Sequence, residues 1–169
     1  MRLLWHVWRV APEPWEEMRT VARFDDTFTI HAPVEEVFAF ARDVGKLWAC
    51  YPGFAVRNVV LTPDGVGSRT NWYSKMLFLH QEGSVEYTEV VPMERIVAKS
   101  STGRRFTFTF TPREDGVTDL GYTEEWNTRV PVVGPAMENL ATRVGAGYID
   151  KFFATFSANV RAAVEGDGR

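Results

Sequence analysis

The residue with the clearest chemical reading is Glu124. It falls in the alternation Leu120, Tyr122, Glu124, Trp126, so a carboxyl group shares one strand face with two aromatic rings and a leucine. Desolvation among such neighbours penalises the charged form and raises a carboxyl pKa. A group tuned that way suits general acid or base work, or the orienting of a ligand hydroxyl. A plainer reading carries slightly more weight: the end and twist of the strand bring Glu124 to water, or Arg105 or Arg129 pairs with it. Glu125, on the opposite face, is expected to be solvated. No serine or cysteine has a histidine at a recognisable offset. Cys50 is the single cysteine, and His6, His31 and His80 lie far apart, so no metal-ligand spacing arises, no intrachain disulfide can form, and neither a metal nor a cofactor is expected. Gly65-x-Gly67 joins two strands and precedes no helix, which makes it a hairpin and not a dinucleotide loop. Arg104-Arg105 reads as a solvated turn.

The elements that must hold Glu124 follow from periodicity. Phe24, Asp26, Phe28 and Ile30 alternate with polar residues as a strand does. Pro33 fits the first turn of a helix, Val34, Val37, Phe38 and Ala41 recur at helical spacing, and Asp43 looks like the N-cap of a second short helix through Trp48. Strands are expected at 54–61, 68–76, 83–91, 95–100, 105–111 and 117–127, with turns at Pro63-Asp64-Gly65, Ser101-Thr102-Gly103 and Asp115-Gly116. Short turns between consecutive strands imply an antiparallel meander. After Gly134-Pro135 the period changes: Met137, Leu140, Val144, Tyr148, Phe152, Phe156, Val160 and Ala163 form one stripe on a helix of nearly thirty residues. Gly145 and Gly147 interrupt it, marking a kink or room for a ligand, or else close packing on Trp48 or Trp72.

Strand parity then selects an inner wall. Phe106, Phe108 and Phe110 share a face; Thr70, Trp72, Ser74 and Met76 share another; Val85, Tyr87, Glu89 and Val91 a third; Ile96, Ala98 and Ser100 a fourth. The wall is aromatic with a few polar groups, Ser74, Tyr87, Tyr122 and Glu124, as expected of a small-molecule pocket. For any single ring, core filling is the stronger reading; for the set, the pocket is.

Composition bounds the rest. The chain has 169 residues and 14 % aromatic content, enough rings to need a large interior or a site. Nineteen Lys and Arg against 22 Asp and Glu give a net charge of −3, which offers no broad attraction to nucleic acid. No apolar run is long enough to span a bilayer, no signal peptide is expected, and the lone cysteine fits a cytoplasmic location. Residues 1–17 hold Trp5, Trp8 and Trp15 between prolines and arginines. They read as a strap over a groove, a dimer arm or an extension without a role. Residues 18–165 are expected to form one domain and 166–169 a flexible tail. The run Met76-Leu77-Phe78-Leu79 is either a patch at a hairpin tip or, as the lack of a turn residue before Gly83 favours, a continuation of the strands.

The order of strand, two short helices, six strands and a long helix resembles the START-like superfamily, also called SRPBCC or helix-grip, in its polyketide cyclase/dehydrase-type branch. The residues that carry the resemblance are Phe28-Thr29-Ile30-His31-Ala32-Pro33-Val34-Glu35-Glu36-Val37-Phe38; Asp43-x-x-x-Leu47-Trp48 before Pro52-Gly53; Gly65-Val66-Gly67-Ser68-Arg69; Glu89-Val90-Val91-Pro92-Met93-Glu94-Arg95-Ile96; and the close of the long helix. The resemblance covers about residues 20–164 and departs at the N-terminal extension. It implies an α+β helix-grip fold, a seven-stranded curved antiparallel sheet wrapped around the C-terminal helix. It also implies a cavity between the two, lined by Phe28, Trp48, Trp72, Ser74, Tyr87, Phe106, Phe108, Phe110, Tyr122, Glu124, Trp126, Met137, Val144, Tyr148 and Phe152.

Three functions remain open. The leading one is binding of a hydrophobic, ring-containing small molecule such as a lipid or polyketide. The second is a cyclase or dehydratase with Glu124 as acid/base and Tyr87 or Tyr122 stabilising an enolate. The third is a protein-interaction role like that of the superfamily's co-chaperones, using Trp5, Trp8 and the 76–79 run, with a homodimer through residues 1–17.

Overall fold

Alternating apolar side chains force a sheet with one covered face, and a helical stripe supplies the cover. In the computed structural model, residues 20–76, 79–128 and 135–166 are described, with side chains at 23–75, 80–125, 147 and 150–166. Seven antiparallel strands lie in the order β1-β7-β6-β5-β4-β3-β2. They are β1 (Thr20–Ile30), β2 (Phe54–Val60), β3 (Arg69–Met76), β4 (Leu79–Val91), β5 (Arg95–Ser100), β6 (Arg104–Pro112) and β7 (Thr118–Thr128). Helices α1 (Val34–Arg42) and α2 (Val44–Ala49) follow β1, and α3 (Pro135–Gly166) ends the described chain. This is the α+β helix-grip architecture expected from the sequence.

Local chemistry explains the junctions. Pro33 sits at the cap position, one residue before the expected first turn, and its carbonyl accepts from Glu36 and Val37 at 3.0 and 3.1 Å. The Asp43 carboxylate accepts from the Gly45 and Lys46 amides at 3.0 and 3.1 Å, the N-cap predicted for α2. Asp115 and Gly116 both take positive φ, 63° and 71°, between β6 and β7.

The covered face is the expected one at most positions. Phe106, Phe108, Phe110, Trp72, Ser74, Leu120, Tyr122, Val85, Tyr87, Ile96 and Ala98 are buried. Glu89 breaks the pattern. The pairing shifts between Tyr87↔Ala98 and Glu89↔Val97, which leaves Thr88 as an extra residue. This bulge turns Glu89 outward to an ion pair with Arg95 and lets Val90 pack on the core in its stead. Gly83 is likewise not a strand boundary: β4 begins at Leu79, whose backbone pairs with Met76, and the glycine lies opposite Trp72. Leu77 and Phe78 lie outside the described residues.

Helix α3 grips through its second half. Phe153, Phe156, Val160 and Val164 are buried, so the inward stripe takes in Phe153 and Val164, with Phe152 half-buried at its edge. Arg161 Nε donates to the Thr29 carbonyl at 2.8 Å, Asn159 Nδ2 to the Cys50 carbonyl at 3.0 Å, and Glu165 accepts from the His31 amide at 2.9 Å. At Gly147 nothing among the described residues lies within 4 Å of where a Cβ would stand, so close packing there has no support.

Candidate functional site

Where α2 ends, the backbone folds back on itself. The Tyr51 amide donates to the Trp48 carbonyl at 3.2 Å and the Phe54 amide to the Tyr51 carbonyl at 3.1 Å, with Gly53 at φ 76° completing the turn. Four rings are thereby stacked in a row. Trp48 and Tyr51 have centroids 5.3 Å apart at 23°, Tyr51 and Phe54 5.3 Å at 29°, and Phe54 and Trp72 4.7 Å at 18°. Phe106 meets Trp48 edge-on at 5.5 Å and Phe156 meets Tyr51 at 4.6 Å. Gly83 makes the last seat possible, since a Cβ there would stand 2.8 Å from Trp72 Cζ2.

A polar string runs along this stack. The Tyr51 hydroxyl donates to the Tyr122 hydroxyl at 3.4 Å, Tyr122 donates to Glu124 Oε2 at 2.8 Å, and Arg104 Nη1 donates to Glu124 Oε1 at 3.1 Å. The string rises from buried phenols to a rim where the Glu124 side chain is 13 % exposed and that of Arg104 49 %. Burial, before any other cause, pushes the Tyr51 and Tyr122 hydroxyls well above the usual phenol range; the Glu124 charge adds to this for both. Both phenols therefore stay protonated and act as donors. Burial also pushes the Cys50 thiol up to about 11, so it is no nucleophile at neutral pH.

Between stack and string lies a void of about 30 Å³. Trp48, Tyr51, Phe54, Trp72, Phe106 and Phe152 form its apolar side, and Ser100, Thr102, Arg104 and Glu124 its polar side. Pockets for drug-sized ligands measure roughly 300–1,000 Å³, so a bound ring requires a side chain to give way.

Of the residues expected to line a site, Trp48, Trp72, Phe106, Phe152 and Glu124 border this void. Tyr122 joins them through Glu124. Phe108 lies between Trp48 and Tyr122, Phe110 packs on Phe38 of α1, and Phe28 packs on Phe153 and Phe156. These three fill the core. Ser74 is buried opposite Phe54 in the ladder. Tyr87 spends its hydroxyl on the Ala41 carbonyl at 2.7 Å, tying α1 to the sheet, and is not part of the string. The partner of Glu124 is Arg104 and not Arg105, whose side lies with the exposed positions of β6; Arg129 is outside the described residues. The side chains of Trp126, Met137, Val144 and Tyr148 and all of residues 1–17 are also outside them. Sequence reasoning missed Tyr51, Phe54 and Arg104. For Arg104 a signal existed: it has the parity of Phe106.

An open antiparallel sheet closed by one long helix, with an aromatic interior crossed by a short polar string, defines a helix-grip protein. The chain belongs to the polyketide cyclase/dehydrase family: the family profile described as "Polyketide cyclase / dehydrase and lipid transport" matches residues 21–161. No curated protein matches the sequence. Among solved structures, the di-domain ARO/CYC StfQ from the steffimycin biosynthetic pathway is similar at a TM-score of 0.64 and 17 % identity, over 90 % of this chain and 54 % of that one. The ZhuI aromatase/cyclase from Streptomyces sp. R1128 gives 0.57 and 15 %, over 85 % and 96 %. TTHA0849 from Thermus thermophilus gives 0.56 and 20 %, over 84 % and 99 %. At such identities the likeness is one of fold. No helix among the described residues is long and apolar enough to cross a membrane.

Proposed function

We propose that the protein binds a hydrophobic, ring-containing small molecule, a lipid, polyketide or similar compound, between the sheet and α3 at the void beside Tyr51. The observation that carries this reading is the pairing of a stacked aromatic wall with a single polar string that reaches the rim at Glu124 and Arg104. A wall of that kind supplies affinity through burial at roughly 25 cal/mol per Å² of apolar surface, while the string fixes orientation. Membership in a cyclase/dehydrase and lipid-transport family supports the same choice. The test is a library of lipids, polyphenols and polyketide mimics screened by thermal shift and by quenching of tryptophan fluorescence. Binding raises the melting temperature and quenches emission; a library that does neither overturns the proposal.

The Tyr122–Glu124 contact favours one second reading, the cyclase or dehydratase. In it the Glu124 carboxylate takes a proton from a carbon next to a carbonyl. Once Glu124 holds that proton, the Tyr122 hydroxyl turns from it to stabilise the resulting enolate; the enolate carbon attacks a second carbonyl to close a ring, and the alkoxide so formed takes the proton back from Glu124. Glu124→Gln then abolishes turnover of a poly-β-ketone substrate and spares its binding; unchanged turnover removes Glu124 from the chemistry.

A further inference from the structure

We infer that the site takes a flat aromatic acid, whose ring replaces Phe54 between Tyr51 and Trp72 and whose carboxylate is held by Arg104. This rests on the ligand-binding reading above and specifies its ligand. Phe54 already lies in the stack as a bound ring would, near-parallel to a neighbour on each side at 5.3 and 4.7 Å. It is also the member held least. Trp48, Tyr51 and Trp72 are buried, whereas Phe54 is half-buried. It stands at the first position of β2, the last strand of the sheet order, directly after the Gly53 turn. Its withdrawal leaves a slot one ring wide, continuous with the void of about 30 Å³.

The rim selects the charge of the ligand. Both oxygens of Glu124 already accept, one from Tyr122 and one from Arg104. The Ser100 and Thr102 hydroxyls bond each other at 2.9 Å. Arg104, 49 % exposed, engages only Nη1 among the described residues. The larger and more exposed unspent capacity beside the slot is therefore the Arg104 guanidinium, four of whose five N–H donors are free of the Glu124 bond, and the planar fork of a guanidinium matches the two oxygens of a carboxylate. Arg104 then bridges Glu124 and the ligand acid, an arrangement that a solvent-facing rim tolerates because water screens the two negative charges. An amine meets only the lone pairs that Glu124 keeps beyond Tyr122 and Arg104, with the Arg104 cation beside them, and a neutral hydroxyl gains only an ordinary hydrogen bond.

The experiment is calorimetric titration with 2-naphthoate and with its uncharged counterpart 2-naphthylmethanol. The proteins are the full chain, Phe54→Ala, Phe54→Leu and Arg104→Gln. The full chain binds the acid about tenfold more tightly than the alcohol, the preference expected of a hydrogen bond to a charged group. Both Phe54 variants bind the acid about tenfold more tightly than the full chain, because the slot stands open. Arg104→Gln lowers acid affinity at least to that of the alcohol, because the cation that binds the carboxylate is gone and the Glu124 charge is left beside it. Equal affinities for acid and alcohol, or no gain in either Phe54 variant, overturn this inference, while continued binding of the alcohol leaves the broader reading standing. Failure of every protein to bind either compound overturns this inference, and the library screen then decides the broader reading.

Discussion

Replacing Tyr122 by phenylalanine deletes one oxygen and leaves two groups short of a partner. Glu124 loses the donor on Oε2, and the buried Tyr51 hydroxyl loses the only acceptor it has in the string. A hydrogen bond to a charged group contributes about 1.5–3 kcal/mol, and a stranded buried hydroxyl costs about 1–3 kcal/mol. Tyr122→Phe is therefore expected to cost about 2.5–6 kcal/mol in total. Tyr51→Phe removes a donor from a long contact of 3.4 Å and leaves Tyr122 still bonded to Glu124. It is expected to cost only about 0.5–1.5 kcal/mol. The double variant has no stranded hydroxyl, so it costs no more than Tyr122→Phe alone. Urea unfolding of the four proteins completes the cycle, and the expected coupling exceeds about 1 kcal/mol. For a chain of this size each kcal/mol moves Tm by about 2–4 °C, so thermal melts check the same numbers. Additivity within about 0.3–0.5 kcal/mol would refute the reasoning, because the two hydroxyls would then not share one string.

Three further outcomes follow from the same geometry. Burial raises the hydroxyl pKa of Tyr51, Tyr87 and Tyr122 well above the usual value. The unfolded phenols ionise first, near pH ~10, so stability is intact below that pH and falls as pH rises toward the folded values, by up to about 4 kcal/mol per pH unit for three groups; a flat profile by urea unfolding between pH 9 and 11 contradicts it. Asp43→Ala removes the side-chain acceptor for the Gly45 and Lys46 amides and is expected to cost about 1 kcal/mol, measured as a lower urea midpoint. Gly83→Ala drives a methyl against the Trp72 ring 2.8 Å away, with an expected cost of about 1–3 kcal/mol and a changed tryptophan emission.

Strand parity alone carries most of the fold into view, because an alternation that buries Phe106, Phe108 and Phe110 allows one facing only. Glu89 escapes it because a bulge leaves no trace in hydropathy: Thr88 is an unremarkable exposed threonine, and only the pairing shows that no residue of β5 stands opposite it in the ladder. Tyr51 escapes for a different reason. It sits in the turn between α2 and β2, where there is no period from which to assign a face, and its inward position comes from two backbone hydrogen bonds. Arg104 is legible in principle, since it shares the parity of Phe106, but its place beside Arg105 and a glycine makes it look like turn. Glu124 shows the limit of reading a single strand. Its neighbours along β7 announce a carboxylate among rings, whereas its actual partners come from β6 across the ladder and from Tyr122 two residues before.

The bulge at Thr88 also bears on how the gene can change. In an unbroken strand, loss or gain of one codon reverses every facing beyond it, so core and solvent residues trade places. In β4 that reversal is already present and already absorbed: one surplus residue sits between the half in phase with Tyr87 and the half in phase with Val90. Deleting Thr88 therefore leaves a plain ladder with Tyr87 and Val90 inward and Glu89 outward, and such a shortened chain is expected to fold. The same deletion at Glu86 would throw the frame of the strand out of register with its neighbours. Strand β4 thus has one position at which its length can vary without changing what it buries.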